Sequence, residues 1–425
     1  MNRLVLIGNG FDLAHGLKTS YADFINWYWD YRMHKFTNTY STESKDNLCS
    51  FKVKFGEDGH ELWSTIAFSH NYFNSALGRE YIGKDIIASI IDDKKNFETK
   101  FSPFFERIIK SIETKGWVDV ENEYYDLLKQ YALDSVMKEE GKISSIKSLN
   151  KQLEYLKELL IQYLIEITKQ DPKVIKSIKH DIYAPFEKED MSVHADYHMF
   201  EEEPWEWEDR SDREAELRTI LEKYGYGVNE CMEWVKAWIE DKNGSTKYPT
   251  AFLLPKNIML LNFNYTHTAQ IYKKTDDSFE EIHIHGDIDD KEHVIFGYGD
   301  EMHSDFEKLK EREDGECLRY VKSIRYLEAS NYKKVLRFIE SAPYQVVIMR
   351  HSCGRSDRTL LHTIFEHGNC ASIKLCYYRK EDGSDDYLEK IQNISRNFVS
   401  MERMRDVVVP KPQCKPLVRD IIEVG

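Results

Sequence analysis

The chain opens on Arg3–Ile7 (RLVLI), a short apolar run that stops at Gly8. Such a run, rich in leucine and β-branched residues, predicts a buried strand entering a tight turn. Gly8-Asn9-Gly10-Phe11-Asp12 follows, and Leu13–Gly16 then reads as one helical turn closed by a glycine. Ser20 and Asp23 form a capping-box signature ahead of a helix carrying Phe24, Ile25, Trp27 and Tyr28. From about residue 34 to 250 strand-like runs nearly vanish and helical periodicity takes over. Its clearest stretch is Lys151–Gln170, where Leu153, Leu156, Leu160, Leu164 and Ile167 share one face and Asp171-Pro172 ends the pattern. Met199–Glu216, acidic around Trp205 and Trp207, reads as a solvated loop, and Asp241–Ser245 with its Asn-Gly pair marks a return boundary.

Beyond that boundary the pattern alternates. Asn257–Asn264, Glu281–His285, Val294–Phe296, Tyr344–Met349 and Ser372–Tyr378 are strand candidates, separated by helical patterns such as His267–Lys273 and Asp357–Glu366. The opening strand needs partners, and these are the ones on offer. The expected fold is therefore α/β: a Rossmann-type parallel sheet built from residues 1–33 and 251–425, with residues 34–250 inserted as a large α-helical domain.

A length of 425 residues suits two or three domains. The formal charge of −15 argues against a sequence-independent grip on nucleic acid, so a bound phosphate must be met by backbone amides more than by lysines. The seven cysteines are scattered without a Cys-x-x-Cys pair, which indicates neither a disulfide framework nor a zinc ribbon. No carboxylate cluster shows metal-ligand spacing, and no metal is expected. With no apolar run long enough for a membrane span or a signal segment, the chain reads as a cytoplasmic protein without a membrane partner.

Four constellations carry chemistry. Gly8-x-Gly10 after a strand lets the backbone approach a diphosphate, although an ordinary strand-to-helix turn would look the same. Asn262-Phe263-Asn264-Tyr265-Thr266 lies at a strand end, where either asparagine can fix ribose hydroxyls or cap the next helix. His283-Ile284-His285-Gly286-Asp287 places two histidines on one strand face with His285 beside a glycine turn, as a base or as a histidine satisfied by the backbone. His351-Ser352-Cys353-Gly354-Arg355-Ser356-Asp357 suits ribose contact through Ser352, Gly354 and Asp357, or helix capping.

Together these residues resemble the AbiH-like bacterial abortive-infection family and, more distantly, sirtuin-fold NAD-consuming domains. The ordered set is Gly8-Asn9-Gly10-Phe11-Asp12 with Thr19, Tyr21 and Phe24, Trp117-x-x-x-Glu121, Asn262–Thr266, His285-Gly286 and Ser352-x-Gly354-x-x-Asp357. The sirtuin-like resemblance puts Gly8, Gly10 and Gly16 on the nucleotide-loop glycines, Asn264 on the asparagine that orients a ribose and a water, and His285 on the general base. It implies NAD or NADP as substrate or ligand, held by Gly8, Asn9, Gly10, Phe11, Asp12, Gly16, Thr19, Tyr21, Asn262, Ser352, Gly354 and Asp357. Departures accompany it. Thr266 stands where sirtuins carry an acid, Asn262 replaces a threonine, Asp12 a serine, and Arg350-His351 precede Ser352 where a glycine is commoner. The absence of zinc-binding cysteine pairs points away from deacylation. Trp117 and Glu121 read as core plus solvated edge of a helix, or as a lid should the insertion fold over the pocket.

Two functions follow from the resemblance: an antiphage effector that hydrolyses NAD(P) at the N-glycosidic bond, or a sensor or scaffold that binds ATP, ADP-ribose or a signal nucleotide without turnover. The first adds a phage-derived trigger to the expected partners, and either is compatible with a homo-oligomer.

Overall fold

The computed structural model of the chain describes residues 1–38, 43–54, 83–115, 119–169, 172–194, 254–273 and 279–418. Nine strands lie in it: β1 (Asn2–Ile7), β2 (Glu43–Lys45), β3 (Cys49–Val53), β4 (Phe97–Phe101), β5 (Ile258–Asn262), β6 (Phe279–His283), β7 (Tyr344–Met349), β8 (Cys370–Tyr377) and β9 (Lys415–Pro416). Six of them form one sheet in the order β6-β5-β1-β7-β8-β9, parallel throughout. The opening strand is therefore central, and all six of its residues are buried. A strand covered on both faces reads as an unbroken apolar run, which is why RLVLI and YQVVIM were recognisable.

Side-chain alternation divides the interior between the two faces of the sheet. Leu4, Leu6, Met259, Leu261, Val346 and Ile348 point to one side, against helices Asn331–Ser341, Arg358–Phe365 and Met401–Val407. Val5, Ile7, Ile258, Leu260, Val347 and Met349 point to the other, against Phe11, Ile178 and Tyr272. Arg3 is buried in this central strand because its guanidinium donates to the carbonyls of Ile182 and Ala184 at the end of helix Lys176–Tyr183 and to Gln345 Oε1. A cation at a helix C-terminus answers carbonyls that have no partner within the helix.

A further core joins helices Tyr21–Asn38, Pro103–Lys115, Val120–Leu133 and Glu139–Ile167 to residues 288–321 of the later chain. The long helix begins ahead of Lys151 and ends at Ile167; Leu153, Leu156, Leu160 and Leu164 are buried along it as the periodicity requires. The Ser20 hydroxyl accepts from the Asp23 amide, so the capping signature is real.

Several expectations are corrected. Residues 34–250, where the pattern predicts hardly any strands, contain β2, β3 and β4, which pair antiparallel. They are too short for a period to stand out, and β3 and β4 are far apart in sequence. Val294–Phe296 is buried but belongs to no strand; Ile295 N instead donates to His285 O. The glycine turn is already helical, since the first helix runs Asn9–Ala14 and Gly16, at φ 81°, lies just beyond its end. His267–Lys273 contains only a 3-10 helix, Thr268–Tyr272. β6 ends at His283, so His285 sits in the following turn and does not share a strand face with it. Trp117, Met199–Glu216 and Asp241–Ser245 lie outside the described residues.

Candidate active site beside the glycine turn

The sheet reverses direction of travel at β1: β5 and β6 extend it one way, β7 to β9 the other. In open parallel sheets the crevice at such a reversal, beyond the carboxyl ends of the strands, is where ligands bind. Here it is bordered by Gly8–Gly10 after β1, Phe263–Thr266 after β5, His285 after β6 and Arg350–Asp357 after β7. The β5 loop is pinned to the glycine turn by Phe263 N to Ile7 O at 2.9 Å and Asn264 Nδ2 to Gly8 O at 3.1 Å.

The two glycines admit protein rather than open space. A Cβ on Gly8 would lie 2.4 Å from His351 Cα, and one on Gly10 would lie 2.7 Å from Arg350 Nε. Arg350 and Cys353 take left-handed backbone, φ 60° and 52°, at a cost of about 1–3 kcal/mol each. Gly8→Ala is expected to force this turn apart and to lower the unfolding free energy by about 1–3 kcal/mol. A thermal melt would show it, and an unchanged midpoint would mean that the two turns do not touch.

Beneath the turn lies a chain of buried charges. Lys322 Nζ is 2.8 Å from both Asp357 Oδ1 and Glu121 Oε2. Asp357 also faces His285 Nε2 at 3.2 Å and His351 Nε2 at 3.5 Å, while Tyr326 OH lies 3.2 Å from His285 Nε2. Glu121 arrives on the first turn of helix Val120–Leu133, capped by Asp119, and its Oε1 accepts from Gly297 N at 2.9 Å. The rings of His285 and His351 both pack on Phe263, at 5.5 and 4.1 Å between centroids.

The charge balance orders the protons. One ammonium neutralises one carboxylate, and two carboxylates compete for it. Burial on its own raises the Asp357 carboxyl, but Lys322 first, then His285 and His351, hold it well below the usual range. Glu121 loses the contest: burial pushes it up to about 7 despite the contact with Lys322. Burial opposes charge on Lys322 as well, yet Asp357 and Glu121 together keep it protonated with a raised pKa. Burial and then the Lys322 charge bring His285 down to about 4, so the imidazole is neutral near pH 7. Because ionised Asp357 can only accept, the His285 Nε2 facing it carries the hydrogen, which leaves Nδ1 with the lone pair.

A pH dependence follows with a definite sign. An unfolded histidine takes up its proton near about 6.5, whereas native His285 holds off until about 4. Between those values the unfolded chain binds more protons, so the contribution is complete above the upper value and fades as pH falls to the lower. The stability advantage of the wild-type chain over His285→Gln should therefore shrink by on the order of 3 kcal/mol between pH 7 and pH 4. Denaturant titrations at both pH values test this; a constant difference would show that His285 protonates freely in the fold.

The residues expected from sequence have diverse positions. His285, Asp357 and Glu121 meet in the ionic group, and Tyr21 is beside it, its hydroxyl pKa raised by burial and by the Glu121, Asp119 and Asp357 charges. Asp357 precedes helix Arg358–Phe365 but its side chain does not cap it. Asn264 sits on the glycine turn, and Asn262 Oδ1 accepts Asn264 N while its Nδ2 reaches Glu281. Phe11 faces the core against Tyr272, and buried Asp12 accepts from Thr266 Oγ1, its carboxyl raised to about 6 by burial. Asn9 and Ser352 are exposed, Gly354 lies by Asp119, and Thr19 Oγ1 is buried without a hydrogen-bond partner. Lys322 and Tyr326 were not anticipated: no motif surrounds them, and a buried lysine has no sequence signature. Nor was the surface trio of His267, Asp287 and Asp289, whose ligand atoms lie within 4.8 Å of one another.

The profile described as bacteriophage abortive infection AbiH matches residues 4–379, most of the chain. The chain belongs to the AbiH family. The matched span runs from β1 to the residues just after β8 and includes the whole ionic group, so the AbiH assignment covers the candidate site. It places the protein in bacteriophage abortive infection. No match is found among curated proteins or among solved structures. Among the described residues of this AbiH protein, no helix is long and apolar enough to cross a membrane.

Proposed function

We propose that this AbiH protein acts in abortive infection by hydrolysing NAD(P) at the bond between nicotinamide and ribose. The observation that carries the reading is His285: a neutral imidazole held by Asp357 and Tyr326 beyond the carboxyl ends of the strands of a parallel sheet, near a glycine turn. In the reaction the C1′–N bond breaks with its electron pair moving to the nicotinamide nitrogen. Water adds to C1′ of the oxocarbenium-like ribosyl group, and its proton passes to His285 Nδ1. The products are nicotinamide, ADP-ribose (or its phosphorylated counterpart) and a proton. Asp357 stays ionised and stabilises the imidazolium that forms, and Glu121 offers a second carboxyl near the developing positive charge. Asn264 holds the glycine turn through one amide hydrogen and keeps its Oδ1 for a ribose hydroxyl. In this reading the helix carrying Glu121 is the cover that must lift to admit substrate, which gives a phage-derived trigger a physical task.

A second reading, nucleotide binding without turnover, is favoured by the enclosure of the group, in which Lys322 is 1% and Asp357 8% exposed. Incubation of the purified protein with NAD, NADP, ATP and ADP-ribose, followed by mass spectrometry, separates the two. Nicotinamide and ADP-ribose from NAD support hydrolysis. Ligand-induced thermal stabilisation with every nucleotide intact supports the sensor instead.

A further inference from the structure

Arg350 and His351 are neighbours in sequence but serve opposite sides of their turn. His351 joins the ionic group, whereas Arg350 enters a separate cleft at the carboxyl ends of β7 and β8. This cavity of about 270 Å³ is lined by Arg350, Arg379, Tyr377 and Tyr378, with Leu13 and Ala14 of the first helix as an apolar wall. We propose that it binds the phosphate groups of a nucleotide, an inference that rests on the nucleotide reading above.

The chemistry is that of a guanidinium pair waiting for an anion. The Arg350 guanidinium lies 4.2 Å above the Tyr378 ring, which fixes its plane and leaves its edge to donate. Among the described residues no carboxylate pairs with Arg350 or Arg379. The nearest acids act on the arginines only through their charge: Asp386 accepts from Tyr378 N and faces Arg350 without pairing with it, and Asp385 pairs with Lys411 while also feeling Arg379. Half-buried Arg350 and exposed Arg379, neither in an ion pair among the described residues, make a local exception to the field of a chain of charge −15, one that a phosphate would complete. The backbone points the same way. Arg350 holds φ 60°, a conformation suited to glycine, and Gly10 lacks the Cβ that would collide with its side chain. Both features keep this arginine where it is. The cavity is small for a whole dinucleotide, and pockets for such ligands run from about 300 to 1,000 Å³. It therefore suits a diphosphate, with the remainder of the ligand outside it.

The test uses the full-length protein with ADP, adenosine and inorganic phosphate as probes at matched ionic strength, in calorimetric titrations. The variants are Arg379→Ala, at an exposed position, and Arg350→Gly, which suits the left-handed backbone. ADP should bind the wild-type chain more tightly than adenosine does, inorganic phosphate should compete with it, and each variant should lose about tenfold or more in ADP affinity while melting as the wild type does. Equal ADP affinity in wild type and both variants overturns the proposal, as does a wild-type chain that binds neither ADP nor phosphate. Intact NAD alongside arginine-dependent ADP binding sinks the hydrolytic reading alone; nicotinamide release alongside arginine-independent ADP binding sinks this inference alone.

Discussion

Lys322→Met should lower the unfolding free energy by about 3–5 kcal/mol, the loss expected when one partner of a buried ion pair is removed and the other stays behind. The substitution keeps an unbranched chain of similar length, so the cavity it leaves is small and charge dominates the effect. Without the ammonium, Asp357 and Glu121 face each other across the seam where helix Val120–Leu133 meets the sheet, and both must take up protons or admit water. The penalty should consequently be smaller at pH 5 than at pH 8, because protonation relieves the uncompensated charge. Adding Glu121→Gln to Lys322→Met should recover part of the lost stability, since one orphaned carboxylate is then gone. Urea unfolding of the single and double variants measures both effects. A Lys322→Met chain within about 1 kcal/mol of wild type would mean that the three groups are solvated and do not clamp the helix to the sheet.

His285→Ala should reduce nicotinamide release from NAD by about 10²- to 10⁴-fold, the range for loss of a positioned general base. In this reading His285, neutral at pH 7, has a nitrogen free to take a proton, and ionised Asp357 offsets part of the burial and Lys322 charge that oppose the imidazolium. The fall should appear in kcat, because the base acts on the transition state and not on the bound dinucleotide. A variant that melts normally and still releases nicotinamide at the wild-type rate would take the base role away from His285. Growth arrest on expression, if it depends on the same chemistry, should disappear in the same variant.

Legibility in the sequence followed the range of the interactions involved. Tyr344–Met349 was assigned to the residue because a strand buried on both faces needs no information beyond its own apolar run. Gly286 after His285 was similarly readable: its φ of 76° and the 2.8 Å approach of His293 O to a would-be Cβ both call for glycine. Val294–Phe296 misled because burial of Ile295 against the sheet-face cluster and of Phe296 in the helical core produces the same apolar pattern as strand pairing does. The short strands β2, β3 and β4 escaped because three to five residues cannot establish a period against a helical background.

The amino-acid order alone determined that a parallel sheet forms, that its opening strand ends in a glycine turn and that His285 and Asp357 lie in the segments that follow β6 and β7, since each depends on local pattern and backbone preference. Only the tertiary structure decided what occupies the space above Gly8 and Gly10 and which charges answer one another. Lys322 meets Glu121 across a separation of 201 residues and Asp357 across 35. A Coulomb interaction depends on distance through space and on the water excluded along it, and neither quantity exists until the chain has folded.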